Sequence, residues 1–158
     1  MYLLDTNHCS RIINKDSVIL QKLRVLGEVR VATAFIVEAE LHFMVNKSVK
    51  KEENLLAVQA FLDTIEVLRE SEQVSTIYGN LKARLLERYG PKDKKKQRKT
   101  KLHKIGIGEN DLWIAATAIA YDYTIVTQDG DFERIREVEA RLRLDNWIPT
   151  SSEVSATN

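Results

Sequence analysis

The sequence predicts an α/β domain built on a mostly parallel central sheet flanked by helices, and three observations lead there. Short apolar runs stop abruptly at small polar or acidic residues, as buried strands do. Longer segments between them repeat apolar residues at intervals of three and four, as helices do. The two kinds alternate with no internal repeat, the order expected when parallel strands are joined by crossover helices. At 158 residues, with 44% hydrophobic and 30% charged, the chain is long enough for one domain with its own core. Only 2 prolines and 6 glycines leave little room for long unstructured stretches.

Taken in order, Tyr2 to Leu4 reads as a strand that ends at Asp5-Thr6-Asn7, three residues that all cap helices well. A second strand is expected from Val29 to Ala32, after which Thr33 can cap a helix from about Ala34 to Asn46. The next helix, about Lys51 to Thr64, spaces Leu55, Val58, Leu62 and Ile65 along one side, and Ile65 to Leu68 extends as a strand. From Glu72 to Arg88, Ile77, Tyr78, Leu81 and Leu85 mark an amphipathic helix closed by Gly90-Pro91. A basic segment follows, and Gly106 and Gly108 then break the chain as a hinge before an alanine-rich helix from Glu109 to Ala120. Thr124 to Thr127 is a strand ending in the turn Gln128-Asp129-Gly130-Asp131. A short helix near Phe132 to Arg136, a strand near Leu142 to Leu144 and a polar, frayed tail complete the chain.

Charge is distributed unevenly. Between Lys92 and Lys104 stand eight lysines and arginines against Asp93 alone, +7, so that of the net +1 the remaining chain carries −6. An acidic body beside one basic segment suits a protein that holds cations in an acidic pocket and attracts a polyanion next to it. No apolar run approaches the roughly 20 residues of a membrane helix, and the opening MYLLDTNHCS lacks the pattern of a secretory signal, so a cytoplasmic location is expected. The single Cys9 has no internal disulfide partner and reads as a small core residue. His8, Cys9, His42 and His103 form no paired ligand spacing, which argues against zinc.

Acidic residues carry the chemistry. Asp5 and Asp129 follow the carboxyl ends of predicted strands, where ligands bind in open α/β sheets. Glu40 sits in an apolar helical context, where either it or Glu38 must lie nearer the buried face; Asp111 opens a helix otherwise free of charge, and Asp131 lies two residues beyond Asp129. Singly, Asp5 reads equally well as a helix cap, Asp111 as a first-turn acid favoured by the helix dipole, and Asp129 as a turn residue. Together they describe a pocket of carboxylates, which calls for a hard divalent cation such as Mg²⁺ or Mn²⁺.

The conjunction resembles the PIN-domain ribonucleases, and among them the VapC toxins of prokaryotic toxin-antitoxin pairs. Leu3-Leu4-Asp5-Thr6-Asn7, Ala39-Glu40-Leu41, Asn110-Asp111-Leu112-Trp113-Ile114-Ala115-Ala116 and Thr124-Ile125-Val126-Thr127-Gln128-Asp129-Gly130-Asp131-Phe132 are similar to the family's four motifs in order, and Asn146-Trp147 to its usual ending. The likeness spans about 1–148, with a basic insert at about 91–105 that departs from the family's short link, and leaves 149–158 as a polar tail. It implies an endoribonuclease in which Asp5, Glu40, Asp111 and one or both of Asp129 and Asp131 hold Mg²⁺ or Mn²⁺. Hydrolysis by a metal-activated water would leave 5′-phosphate and 3′-hydroxyl ends, with Thr6, Asn7 and Thr127 orienting the acids. It also implies a homodimer silenced by a small VapB-like antitoxin, whose groove is expected along the helices between Ala34 and Thr64. Lys94, Lys95, Lys96, Arg98, Lys99 and Lys101 are expected to attract the RNA backbone. The competing readings are a non-catalytic RNA-binding or regulatory module on this fold, and a metal-dependent nuclease or phosphatase for another substrate.

Overall fold

A computed structural model of the chain describes residues 1–148; the expected polar tail at 149–158 lies outside them. Five strands, β1 (Tyr2–Leu4), β2 (Val31–Ala34), β3 (Glu66–Leu68), β4 (Thr124–Val126) and β5 (Arg143–Asp145), pair in the order β3-β2-β1-β4-β5, all parallel. The chain builds one side of the sheet outward from β1, then crosses over to build the other. The order therefore reverses at β1, and the crevice that an open sheet offers to ligands lies at the carboxyl ends there. Leu3, Leu4, Ile125 and Val126 are wholly buried, as expected of central parallel strands covered on both faces.

Eight α-helices surround the sheet among the described residues: α1 (Thr6–Ile13), α2 (Ser17–Leu26), α3 (Phe35–Lys47), α4 (Lys51–Leu62), α5 (Glu72–Tyr89), α6 (Lys94–Lys99), α7 (Glu109–Tyr121) and α8 (Gly130–Arg136). Aspartate or serine side chains cap many of them, as Asp16 does for α2 through the Val18 and Ile19 amides and Ser71 for α5 through Val74. The longest helix, α5, packs along α7, whose small residues Ala115, Ala116 and Ala118 let it sit close against its neighbours.

Three features differ from the sequence reading. β2 runs Val31–Ala34, two residues later than expected, and Thr33 lies inside it rather than capping the next helix. The cause is register: Thr33 pairs with Leu4, and its buried hydroxyl donates to the Leu4 carbonyl at 3.0 Å, so the strand must extend until it clears β1. Helix α2 has no counterpart in the sequence reading, although Asp16 ahead of an apolar run and Gly27 behind it mark both its ends. The basic segment is not a plain loop. Asp93 caps α6 through the Lys96 amide at 2.8 Å, and a 3-10 turn over Leu102–Ile105 follows. The segment is anchored from within, because Leu102 and Ile107 are buried in the core and Gln97 donates to the carbonyls of Leu86 and Pro91.

Leu81 on α5 is 1% exposed and part of this core. Leu81→Ala should lower the unfolding free energy by about 2–5 kcal/mol, whereas Val49→Ser at a fully exposed position should change it by less than about 0.5 kcal/mol. Denaturant melts of both variants measure the difference.

Candidate active site

The fold delivers each acid by a different element. Asp5 follows β1 directly and is the N-cap of α1; Glu40 projects from the second turn of α3; Asp111 lies in the first turn of α7; Asp129 is the N-cap of α8 after β4. All four line one cavity of about 280 Å³ together with Thr6, Asn7, Phe43, Met44, Ile114 and Phe132. No lysine or arginine is among those residues. Glu38, the alternative to Glu40, points elsewhere and pairs with Arg69.

Asp5, Glu40, Asp129 and Asp131 are each held by hydrogen-bond donors. The Asp5 Oδ1 accepts from the His8 backbone N–H and from the His8 ring Nδ1, both at 2.8 Å. Glu40 is gripped at both oxygens, by the Thr6 hydroxyl at Oε2 and by the Asn110 amide at Oε1, 2.6 Å. The Asp129 Oδ1 accepts from the Asp131 amide at 2.9 Å, and its own amide donates to the Thr127 hydroxyl at 3.0 Å. Asp131 does not line the cavity. Its Oδ2 accepts from the Gly108 N–H at 2.9 Å and so ties α8 to the start of α7. A side chain at Gly108 would place its Cβ about 2.1 Å from the Asp111 Oδ2, so only glycine allows the carboxylate to lie against that backbone.

Burial, and then the charges of Asp129, Asp131, Glu40 and Asp5, push the Asp111 carboxyl up from the usual range to about 7. This is the electrostatic signature of a site short of positive charge. Among the described residues no three acidic, histidine or cysteine side chains close on a single point, so the acids ring the cavity instead of forming a finished cage. Such a ring of hard oxygen donors fits a divalent cation that keeps several of its own waters, and the set contains no thiolate or imidazole that would favour a softer ion.

Of the expected site residues, the cavity thus gathers Asp5, Glu40, Asp111 and Asp129, with Thr6 and Asn7 beside them and Thr127 one hydrogen bond behind; Asp131 is near but turned to Gly108. Lys94, Lys95, Lys96, Arg98, Lys99 and Lys101 are exposed on the insert and do not line the cavity. Two contacts escape the sequence reading: Asn110, which sits beside Asp111 inside a quoted motif, and His8, weighed there only as a metal ligand. The adjacent Cys9 is buried, its thiol pushed up to about 12 by burial, and donates to the Thr33 hydroxyl at 3.5 Å, which leaves it no role as a nucleophile.

Comparison with known proteins agrees with this arrangement. The family model described as PIN domain matches residues 2–138. The chain is 37% identical to ribonuclease VapC2 of Rickettsia felis over 151 residues, covering 93% of this chain and 98% of that protein. Among solved structures it resembles VapBC2 of Rickettsia felis bound to a DNA fragment from their promoter, with a TM-score of 0.72, 35% identity and 93% and 98% of the two chains covered. It also resembles DNA-bound VapBC of Salmonella typhimurium, with a TM-score of 0.73, 26% identity and the same coverage. PIN-domain ribonucleases in general depend on divalent metal. With its four acids gathered at the reversal point of a parallel sheet and these likenesses running through nearly its whole length, the chain belongs to the PIN domain family, among the VapC ribonucleases.

Proposed function

We propose that this chain is a metal-dependent endoribonuclease, the toxin of a VapBC-type pair, and that Asp5, Glu40, Asp111 and Asp129 hold Mg²⁺ or Mn²⁺ in the 280 Å³ cavity. The observation that carries the reading is the cavity itself, with four carboxylates, no cationic side chain and an Asp111 carboxyl raised to about 7. When bound, the ion would supply Lewis acidity toward a phosphodiester and lower the pKa of an attacking water. The chain's own part is placement. Thr6 and Asn110 fix the Glu40 carboxylate, Thr127 fixes the Asp129 backbone, and Asp131 acts from behind by holding the Gly108 amide at the entrance to α7.

The basic insert would supply what the acidic cavity lacks, attraction for a polyanion. Lys94, Lys95, Lys96, Arg98, Lys99 and Lys101 all face solvent around α6, and only Lys94 is ion-paired to an acid, Glu87 at 3.6 Å, among the described residues. Arg134 of α8 donates to the Gly106 carbonyl at 2.6 Å, so the helix that carries Asp131 also holds the end of the insert. The insert is thereby tied to the acid-bearing elements. In the cytoplasm the toxin would pair with a VapB-like antitoxin and form a homodimer. A hollow of about 150 Å³ between α1, α3 and α4, lined by Ile13, Leu41, Met44, Val45 and Val58 with Ser10, Asn14 and Asn54 among them, supports placing the antitoxin along α3 and α4. Phe43, Met44 and Leu56 on those helices are exposed.

Asp5→Asn should abolish Mg²⁺-dependent cleavage of RNA while leaving the melting profile intact, because asparagine caps a helix as well as aspartate does. Gel assays on total RNA with Mg²⁺ or with EDTA read the loss; full activity in the variant, or cleavage indifferent to EDTA, would sink the assignment.

The Asp111 carboxyl binds its proton more tightly in the folded chain than in the unfolded one, where such a group titrates near about 4. In chelator-treated protein its ionisation therefore costs stability as pH rises from about 4 to about 7, and the full cost persists above that. Asp111→Asn should flatten this part of the stability profile and melt higher than the parent at pH 8, as thermal melts across pH would record.

Replacing Lys94, Lys95, Lys96 and Arg98 by Ala should weaken RNA binding and reduce the log-log salt slope by up to about 0.7 per lost single-strand phosphate contact. Turnover at saturating RNA should survive. Filter binding across a salt series tests this, and unchanged affinity at every salt concentration would make the insert a solvated appendage.

A further inference from the structure

We infer that His8 is the positioning residue for Asp5, and through it for the divalent cation that the acidic cavity takes; the inference rests on the reading of Asp5 as a ligand. His8 lies in the first turn of α1 and is wholly buried. Its backbone N–H and its ring Nδ1 both reach the same oxygen, Asp5 Oδ1, at 2.8 Å. The backbone contact alone satisfies what an N-cap requires. The ring contact is additional, and a carboxylate oxygen beside it accepts, so Nδ1 is the donor. Two donors on one oxygen lock the carboxylate's rotation and leave Oδ2 as the oxygen turned over to the cavity.

The far side of the same ring shows that His8 is not there merely to fill space. Its Nε2 is buried with no hydrogen-bond partner among the described residues. A buried polar atom without a partner is a loss of hydration that nothing returns, and a leucine of similar bulk would avoid it. The one polar service that the ring performs is the bond from Nδ1 to Asp5.

The other acids explain why Asp5 needs such fixing. Both oxygens of Glu40 already accept hydrogen bonds, from Thr6 and Asn110, and Asp131 accepts from Gly108. Asp5 and Asp129 each direct one oxygen at a local donor and keep the other clear. Asp129 is held only by a backbone amide and Asp111 accepts no hydrogen bond among the described residues, whereas Asp5 is held by a rigid, buried ring, which makes it the acid whose free oxygen has the best-defined place. Groups that orient a ligand in this manner typically change metal affinity by about 10–100-fold when removed.

The test is Mn²⁺ binding by isothermal titration to the full chain and to His8→Leu and His8→Asn, alongside thermal melts. His8→Leu removes both ring nitrogens, and it should bind Mn²⁺ at least about tenfold more weakly while melting no lower than the parent. His8→Asn, whose amide nitrogen reaches the place of Nδ1, should recover most of the affinity. RNA cleavage by His8→Leu should return as Mn²⁺ is raised. If His8→Leu does not fold, His8→Gln, which carries its amide farther from Asp5, takes its place and should also bind weakly. A parent that binds Mn²⁺ together with a leucine or glutamine variant that binds equally well overturns the role of His8 alone. Weak binding by the asparagine variant with a lowered melting point likewise reduces His8 to packing. A parent that takes up no Mn²⁺ overturns the metal reading of the cavity, and this inference with it.

Discussion

The alignment of β1 with β4 is the constraint on which the site depends. Leu3 pairs with Ile125 and Leu4 with Val126, and the Asp5 amide then donates to the Val126 carbonyl, so the two strands end level. Because the chain leaves β1 for one side of the sheet and returns to β4 on the other, the helices that follow these strands diverge and open a crevice between them. Asp5 and Asp129 cap those two helices at its floor. A slip of one residue in this pairing would exchange the faces against which the apolar residues pack and shift Asp5 relative to Asp129, so the same packing that stabilises the sheet also sets the geometry of the acids.

Around that floor the protein concentrates negative charge without neutralising it. Cationic side chains are abundant, yet they pair with acids outside the cavity, as Arg69 does with Glu38 and Arg84 and Arg141 do with Glu139. Inside, carboxylates are steadied by the Thr6 hydroxyl, the Asn110 amide, backbone N–H groups and the His8 ring, which fix their direction. Asp111 shows the result, its ionisation opposed first by burial and then by four other acids. Carboxylates gathered in this manner would favour a cation, whose entry would ease the repulsion among them.

The insert between α5 and α7 solves a mechanical problem as well as an electrostatic one. Eight basic residues in a short stretch repel one another, and such a segment would not order by itself. Asp93 starts a helix, Gln97 ties it back to the end of α5, and Leu102 and Ile107 enter the core, while Arg134 and Asp131 of α8 hold Gly106 and Gly108. The charges are thus displayed outward from an anchored frame, and the frame ends at the turn that delivers Asp111.

Much of this was legible in the sequence, because strands and helices are written in local periodicity and caps. The class of fold, the run of α5 and α7, the ends of β1 and β4 and the candidate acids at those ends are all local features, and the likeness to the PIN domain family rests on short motifs readable in order. Where the sequence misled, long-range pairing decided: Thr33 has the chemistry of a cap, but its register with Leu4 makes it part of a strand. The same holds within the site. Asp129 and Asp131 are alike in sequence, and only the arrival of Gly108 from 23 positions away draws one of them off the cavity. Residue type and spacing determined which atoms were available for chemistry, whereas the tertiary structure decided which of them face one another, since direction depends on hydrogen bonds between elements far apart in the chain.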